Sequence, residues 1–141
     1  PESLERAKKH LNATVVSPHE ILQLDVDVVA PCAMGATINH QAIGQLKAQV
    51  IAGAANNQLA TENLGELLRD KGILYAPDYV INAGGIINVS FEKNYDAAAS
   101  TAKVEQIYNT LLTIFERADS ENRTTGSVAD EMAKAIIDAA R

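Results

Sequence analysis

The stretch Leu74-Tyr75-Ala76-Pro77-Asp78-Tyr79-Val80-Ile81-Asn82-Ala83-Gly84-Gly85-Ile86-Ile87-Asn88-Val89 constrains the fold more than any other part of the chain. It begins as an apolar run, passes into a Gly-Gly turn flanked by asparagines, and then reads as helix. A buried strand that opens into a glycine loop is how open α/β sheets build a ligand site, outside the carboxyl ends of their strands. Two earlier stretches have the same shape. Val26-Asp27-Val28-Val29-Ala30 runs into Pro31-Cys32-Ala33-Met34-Gly35-Ala36, and Val50-Ile51-Ala52-Gly53-Ala54-Ala55 runs into Asn56-Asn57-Gln58. Three strands that each end in small or amide residues imply one shared crevice.

The segments between these strands read as helices. Residues 1–12 place Leu4, Ala7 and Leu11 on one face, with Pro1 at the first helical position and Asn12 as a stop. Thr14-Val15-Val16 is a short β-branched strand. Ser17-Pro18-His19-Glu20 has the form of a capping box and opens a short helix through Leu24. Asn39 caps a helix that turns Ile43 and Leu46 inward. Thr61 or Glu62 begins another, with Leu64, Leu67 and Leu68 inward and Gly72 as its stop. Ile73–Ile81 reads as strand, broken at Pro77. Ala97–Ala118 is a long helix with Val104, Ile107, Tyr108, Leu111 and Phe115 at helical spacing. Ser127, with Asp130, caps a last helix carrying Val128, Met132, Ala135, Ile136 and Ala139. Strands alternating with helices imply a mostly parallel sheet with right-handed crossovers. Near-continuous apolar strands suit a doubly wound sheet with helices on both faces.

Several function classes are excluded. A net charge of -6 with scattered basic residues argues against nucleic acid as a partner. One cysteine rules out an internal disulfide framework and suits a reducing, cytoplasmic setting. No apolar run approaches the roughly 20 residues needed to span a bilayer, and the N-terminus has no signal-peptide pattern. The G-x-G-x-x-G fingerprint, the P-loop, H-E-x-x-H, paired cysteines and G-x-S-x-G are all missing, so no metal site is expected. His10, His19 and His40 are far apart and read as solvated surface residues.

What remains is amides and backbone. Asn56, Asn57, Gln58, Asn82 and Asn88 gather at the ends of the expected strands. An amide holds a carboxylate without adding charge, or pairs with a carboxamide through donor and acceptor together. The alternative is that Asn serves turns and left-handed backbone. Both readings stand for these residues. Gly84 and Gly85 either bring backbone N–H groups to a ligand or permit a turn. Cys32 reads as a small apolar filler near the crevice, with nothing beside it to activate a thiolate. Asp78 after Pro77 reads as a loop acid or a turn residue.

Three blocks, Ala30–Asn39, Val50–Leu59 and Tyr75–Val89, resemble consecutive blocks of the glutamate/leucine/phenylalanine/valine dehydrogenase family, and the similarity extends over nearly the whole chain. The resemblance implies NAD-dependent oxidative deamination of an L-amino acid to the 2-oxo acid and ammonia. It implies two-domain subunits with an intervening cleft, assembled as oligomers. Residues 1–141 then form a single, partial Rossmann-like NAD-binding domain without the substrate domain, the first βαβ strands being absent and helices closing the C-terminal end. By the same resemblance Cys32, Ala33 and Asn56 lie along the cofactor, and Asn82, Ala83 and Gly84 lie beside the nicotinamide. Asn57 helps hold the substrate or nicotinamide end. Ile86 and Val89 line the substrate side-chain pocket, where two branched aliphatics suit leucine or valine.

The resemblance also implies what this sequence lacks. The family's chemistry rests on two lysines and an aspartate of the first domain. None of Lys8, Lys9, Lys47, Lys71, Lys93, Lys103 or Lys134 stands in the matching glycine-rich context. The chain is therefore expected to be a piece of a longer enzyme, inactive alone, that associates with the rest of its parent or with further copies. In the strand order 3-2-1-4-5-6, two strands belong between Thr14–Val16 and Val26–Ala30. Their absence is expected to have one of three consequences: another chain supplies them, the exposed edge self-associates, or the first 25 residues are displaced. A non-enzymatic α/β module that binds a small ligand or a partner is the alternative reading.

Overall fold

Two-residue strands, each made of large apolar side chains, form the centre of the molecule. A computed structural model describes residues 2–141, and the expected role of Pro1 lies outside that range. Val28–Val29 (β1), Val50–Ile51 (β2) and Leu74–Tyr75 (β3) make a parallel sheet in the order β1-β2-β3. The register sets Val29, Ile51 and Tyr75 side by side, and all three are buried. Val28, Val50 and Leu74 form the adjacent row, pointing to the other face, and Val28 and Leu74 stay exposed.

The buried row is covered by two short helices. Asn39 accepts the Ala42 N–H at 2.9 Å through its side chain and so caps α2 (His40–Gln45), as the sequence predicts. Gly72 ends α3 (Leu64–Asp70) from the left-handed region at φ 70°. Ile43, Leu64 and Leu68 from these helices pack with Ile38, Ile51, Ile73 and Tyr75 into one core. A second core joins the long helix α6 (Ala97–Ser120) to α7 (Thr125–Ala139) through Ile114, Ala118, Val128 and Ala129.

The structure corrects the sequence reading at several points. The strands are shorter than predicted. Beyond Val29 and Ile51 the two chains touch through loop backbone, and a Cβ on Gly53 would sit 2.2 Å from the Pro31 carbonyl oxygen. Val80 and Ile81 are helical: the chain turns after Pro77 into α4 (Asp78–Ile81), and their N–H groups both donate to Pro77 O at 3.0 Å. Gly84 and Gly85 open α5 (Gly84–Ser90) and form no Gly-Gly turn. The turn falls at Asn82 and Ala83, where ordinary residues suffice, and a Cβ on Gly85 would meet nothing within 4 Å. Thr124, not Ser127, caps α7 by accepting the Ser127 N–H at 3.1 Å, so that helix starts earlier than predicted. Tyr108 lies outside the α6 core face, which instead runs through Ser100, Ile114 and Ala118. Ala135, Ile136 and Ala139 are exposed on α7.

The N-terminal segment differs most from expectation. α1 (Glu2–Leu11) forms and ends at Asn12 in the left-handed region, yet buries none of its residues. Thr14–Val16 is not a strand and pairs with nothing in the sheet. Residues 2–20 lie outside the sheet and contribute to neither core. From there Leu22, in a short turn of tighter helix at Ile21–Gln23, docks on the first core. Glu20 reaches back to the Ser17 N–H at 3.3 Å, which is half of the predicted capping box. No helix among the described residues is long and apolar enough to cross a membrane.

Candidate functional site

The loops that follow the carboxyl ends of β1 and β2 are fastened to one another by backbone. The Ala36 N–H donates to Asn57 O at 2.7 Å, and the Ile38 N–H donates to Gln58 O at 3.0 Å. The Ala55 N–H donates to Pro31 O at 2.9 Å. Gly35 is needed at this seam, since a Cβ there would sit 2.7 Å from Asn56 O. The loops after β1 and β2 therefore act as one rigid rim, and Asn57 takes the left-handed φ of 52° within it.

On this rim three of the predicted site residues come together around Ala54. The Ala54 N–H points at Cys32 Sγ at 3.5 Å, and Asn82 Nδ2 reaches Ala54 O at 3.4 Å. Asn82 Nδ2 also donates to Asn56 Oδ1. The pair consumes one donor and one acceptor. Among the described residues Asn56 Nδ2 and Asn82 Oδ1 have no protein partner. One free donor and one free acceptor on adjoining amides suit the carbonyl and amine of a carboxamide.

The other predicted residues are distributed around this pair. Cys32 is exposed and accepts a weak hydrogen bond, so it is no buried filler. Ala33 and Asn57 are exposed, and Ala83 and Gly84 are half-buried between α4 and α5. Ile86 and Val89 lie one turn apart on α5 and are 69% and 57% exposed. His10, His19 and His40 are on the surface, as expected.

Two amides grouped with the site do structural work instead. Asn88 accepts the Ser100 hydroxyl at 3.1 Å and joins α5 to α6. Gln58 is fully buried, and its Nε2 donates to Gly53 O at 2.6 Å and Ala55 O at 3.0 Å. Asp78 is neither a loop acid nor a simple turn residue. It is buried at the start of α4, where Oδ2 accepts the Gln58 N–H at 3.0 Å and Oδ1 accepts the Tyr79 N–H at 2.7 Å. Nothing in the sequence separates Gln58 from its asparagine neighbours, because burial here depends on contacts 20 residues away.

A cleft of about 420 Å³ opens beside Asn57, between α3, α4 and the start of α7. The sequence reading did not identify it. Tyr79 crosses it and donates its hydroxyl to Asp130 Oδ1 at 2.5 Å. Burial, and then this carboxylate, push the Tyr79 phenol well above its ordinary pKa. Tyr75 in the same wall is pushed up to about 12 by burial and by the neighbouring Asp78 charge. Thr125 Oγ1 donates to Tyr75 O at 2.7 Å, so α7 is tied directly to the end of β3.

A sequence model of the glutamate/leucine/phenylalanine/valine dehydrogenase family matches residues 2–140. An L-tryptophan dehydrogenase of Nostoc punctiforme is 51% identical over 136 residues, a span of 95% of this chain and 38% of that protein. A leucine dehydrogenase of Bacillus cereus is 45% identical over 137 residues, 96% of this chain and 37% of that one. The chain thus spans well under half the length of these curated relatives. The crystal structure of the L-tryptophan dehydrogenase from Nostoc punctiforme matches at a TM-score of 0.94 and 50% identity, over 98% of this chain and 42% of that chain.

Proposed function

Because this chain belongs to the glutamate/leucine/phenylalanine/valine dehydrogenase family, we propose that it is the later part of the NAD-binding domain of an amino-acid dehydrogenase. The whole protein would convert a branched-chain L-amino acid, leucine or valine, to the 2-oxo acid and ammonia. The observation that carries this reading is the Asn56–Asn82 pair, which leaves one amide donor and one amide acceptor open at the carboxyl ends of a parallel sheet.

NAD supplies the hydride acceptor for such a reaction. This chain's residues would bind and orient it. Asn56 Nδ2 would donate to the carboxamide oxygen and Asn82 Oδ1 would accept from its amine, orienting the group without adding charge. Cys32, Ala33, Ala83 and Gly84 are small and leave room for a planar ring beside the pair. Asn57, whose backbone is in the left-handed region of the rim, would offer its amide to the substrate. Ile86 and Val89 present apolar surface that suits an aliphatic side chain.

Substrate choice is the finest part of this reading. The relatives act on tryptophan and on leucine. One methylene in an apolar pocket shifts discrimination by only about 1–3 kcal/mol. Branched aliphatics at positions 86 and 89 favour leucine and valine over an indole. Steady-state assays of the full-length protein with NAD and leucine, valine, phenylalanine or tryptophan test it. Leucine or valine is expected to give the highest kcat/KM. Preference for tryptophan overturns the substrate assignment, and absence of turnover with every amino acid favours a ligand-binding module. The 141-residue chain alone is expected to give no turnover, since none of its lysines stands in the matching context.

A further inference from the structure

The two asparagines of the amide pair belong to separate loops, and one buried carboxylate holds both loops. Asp78 Oδ2 accepts the N–H of Gln58, two residues after Asn56. Gln58 in turn grips Gly53 O and Ala55 O on either side of Ala54, whose own carbonyl receives Asn82 Nδ2. The main-chain oxygen of Asp78 accepts the Asn82 N–H at 2.9 Å, one helical turn further on. The chain of contacts Asn56–Gln58–Asp78–Asn82 is closed by the hydrogen bond between the two asparagines. Both carboxylate oxygens of Asp78 are occupied by backbone donors, and the residue is 9% exposed. It touches no open amide atom and acts only through the backbone it holds.

We propose that Asp78 is a positioning residue that sets the separation of Asn56 and Asn82. The reason is chemical. A carboxylate accepts on both oxygens, so it takes the Gln58 and Tyr79 N–H groups together. A carboxamide has one acceptor and would turn an NH2 group toward one of these donors. Asp78→Asn therefore keeps one bond and loses the other at almost unchanged volume. Loss of the Gln58 contact unties the β2 loop from the start of α4, so that Asn56, still fixed on its rim, shifts relative to Asn82.

The functional consequence rests on the proposal that the pair holds the cofactor carboxamide, so the test separates the two. In the full-length protein, a crystal structure of Asp78→Asn is expected to show Asn56 Oδ1 and Asn82 Nδ2 more than about 3.5 Å apart, outside hydrogen-bond range. An intact pair overturns the positioning role whatever the kinetics. The KM for NAD is expected to rise about tenfold with a smaller change in kcat, the scale expected when a binding group is misplaced. In an Asn82→Ala background the same substitution is expected to add less than about twofold, because linked residues are not additive. Full additivity overturns the positioning role. A broken pair with unchanged KM for NAD upholds positioning and overturns the cofactor reading. If Asp78→Asn yields no folded protein, Asp78→Ser, whose single shorter hydroxyl oxygen cannot reach both the Gln58 and Tyr79 N–H groups, is read by the same outcomes.

Discussion

Residues 2–20 and residues 28–82 both carry apolar residues at regular spacing, and only the second segment buries them. In the second, each strand contributes two residues, and the row Val29, Ile51 and Tyr75 is closed by α2 and α3. In the first, α1 has Leu4, Ala7 and Leu11 on one face with none of them buried, and Thr14–Val16 has β-branched residues with no strand to pair with. Local preference is present in both. The difference is the non-local partner. A helical face or a strand becomes a stabilising element only when something covers it.

The comparison is broken most severely at the centre of the buried row. Ile51 is fully buried between β1 and β3. Ile51→Ala is expected to cost about 4 kcal/mol, within the range for emptied core sites, measured by urea unfolding. A cost below about 1 kcal/mol would mean that the sheet is not the organising core. Gly53→Ala attacks the same segment from the opposite side, by overfilling. Its Cβ would lie 2.2 Å from the Pro31 carbonyl oxygen, and backbone cannot yield as a side-chain tip does. The expected cost is about 2–3 kcal/mol, with an additional rise in the KM for NAD in the full-length protein, because the Asn56 loop starts here. Thr124→Ala, which removes the α7 cap, is expected to cost about 1 kcal/mol.

The same contrast explains what the sequence disclosed. α2 with its Asn39 cap, α3 with its Gly72 stop and the long α6 were readable because caps and 3.6-residue spacing are local signals. The first two strand-to-loop blocks were readable because apolar runs ending in small residues are local too, whereas the third runs into α4 and α5 where a glycine loop was expected. Thr14–Val16 misled because β-propensity is local but strand formation is not. Val80 and Ile81 misled because their N–H groups close a helical turn on the Pro77 carbonyl, which the apolar character of the run does not reveal. In the site, Asn56 and Asn82 were identified as amides at strand ends, and the structure brings them together. The roles of Gln58 and Asp78 were hidden, since a buried amide and a ligand-facing amide are the same letter. The link between Tyr79 and Asp130 spans 51 positions and leaves no mark on either segment.

A smaller effect is expected where α6 meets α7. Arg117 and Arg123 each contact both Glu121 and Glu131, at 2.6–2.8 Å. Hydrogen bonds, first from Arg117 and then from Arg123, hold both carboxyls below the ordinary value of 4.5. The depressed folded values fix the sign. The contribution is present above about pH 4.5 and is lost as the pH falls through the lower folded values. The groups face solvent, so salt screens them. The protection factors of the α7 amides, taken against the intrinsic exchange rate at each pH, are expected to fall on acidification and in high salt. Glu131→Gln should flatten that acid dependence. At the other end of the scale, Tyr75, raised to about 12 by burial and Asp78, makes its contribution below pH 10 and loses it as the pH rises toward 12.

The smallest expected effect bears most directly on the N-terminal segment. Leu11 is 77% exposed, the highest exposure among the large apolar residues. Leu11→Ala is therefore expected to change stability by less than about 0.5 kcal/mol, as surface substitutions do. With no buried face, α1 relies on end effects: Glu2 and Glu5 at its positive end, Lys8, Lys9 and His10 at its negative end, and the Glu5–Lys8 pair at 3.1 Å. Such terms amount to a few tenths of a kcal/mol each, and ten residues are short for an isolated helix in water. The α1 amides should exchange rapidly, while those of Ile51 and Tyr75 stay protected. Measured at rising protein concentration, or in the full-length protein, the same two quantities show whether that exposed face has acquired a partner. A cost above about 1 kcal/mol for Leu11→Ala would mean that Leu11 is covered, and the difference between the two segments would then be one of assembly and not of sequence.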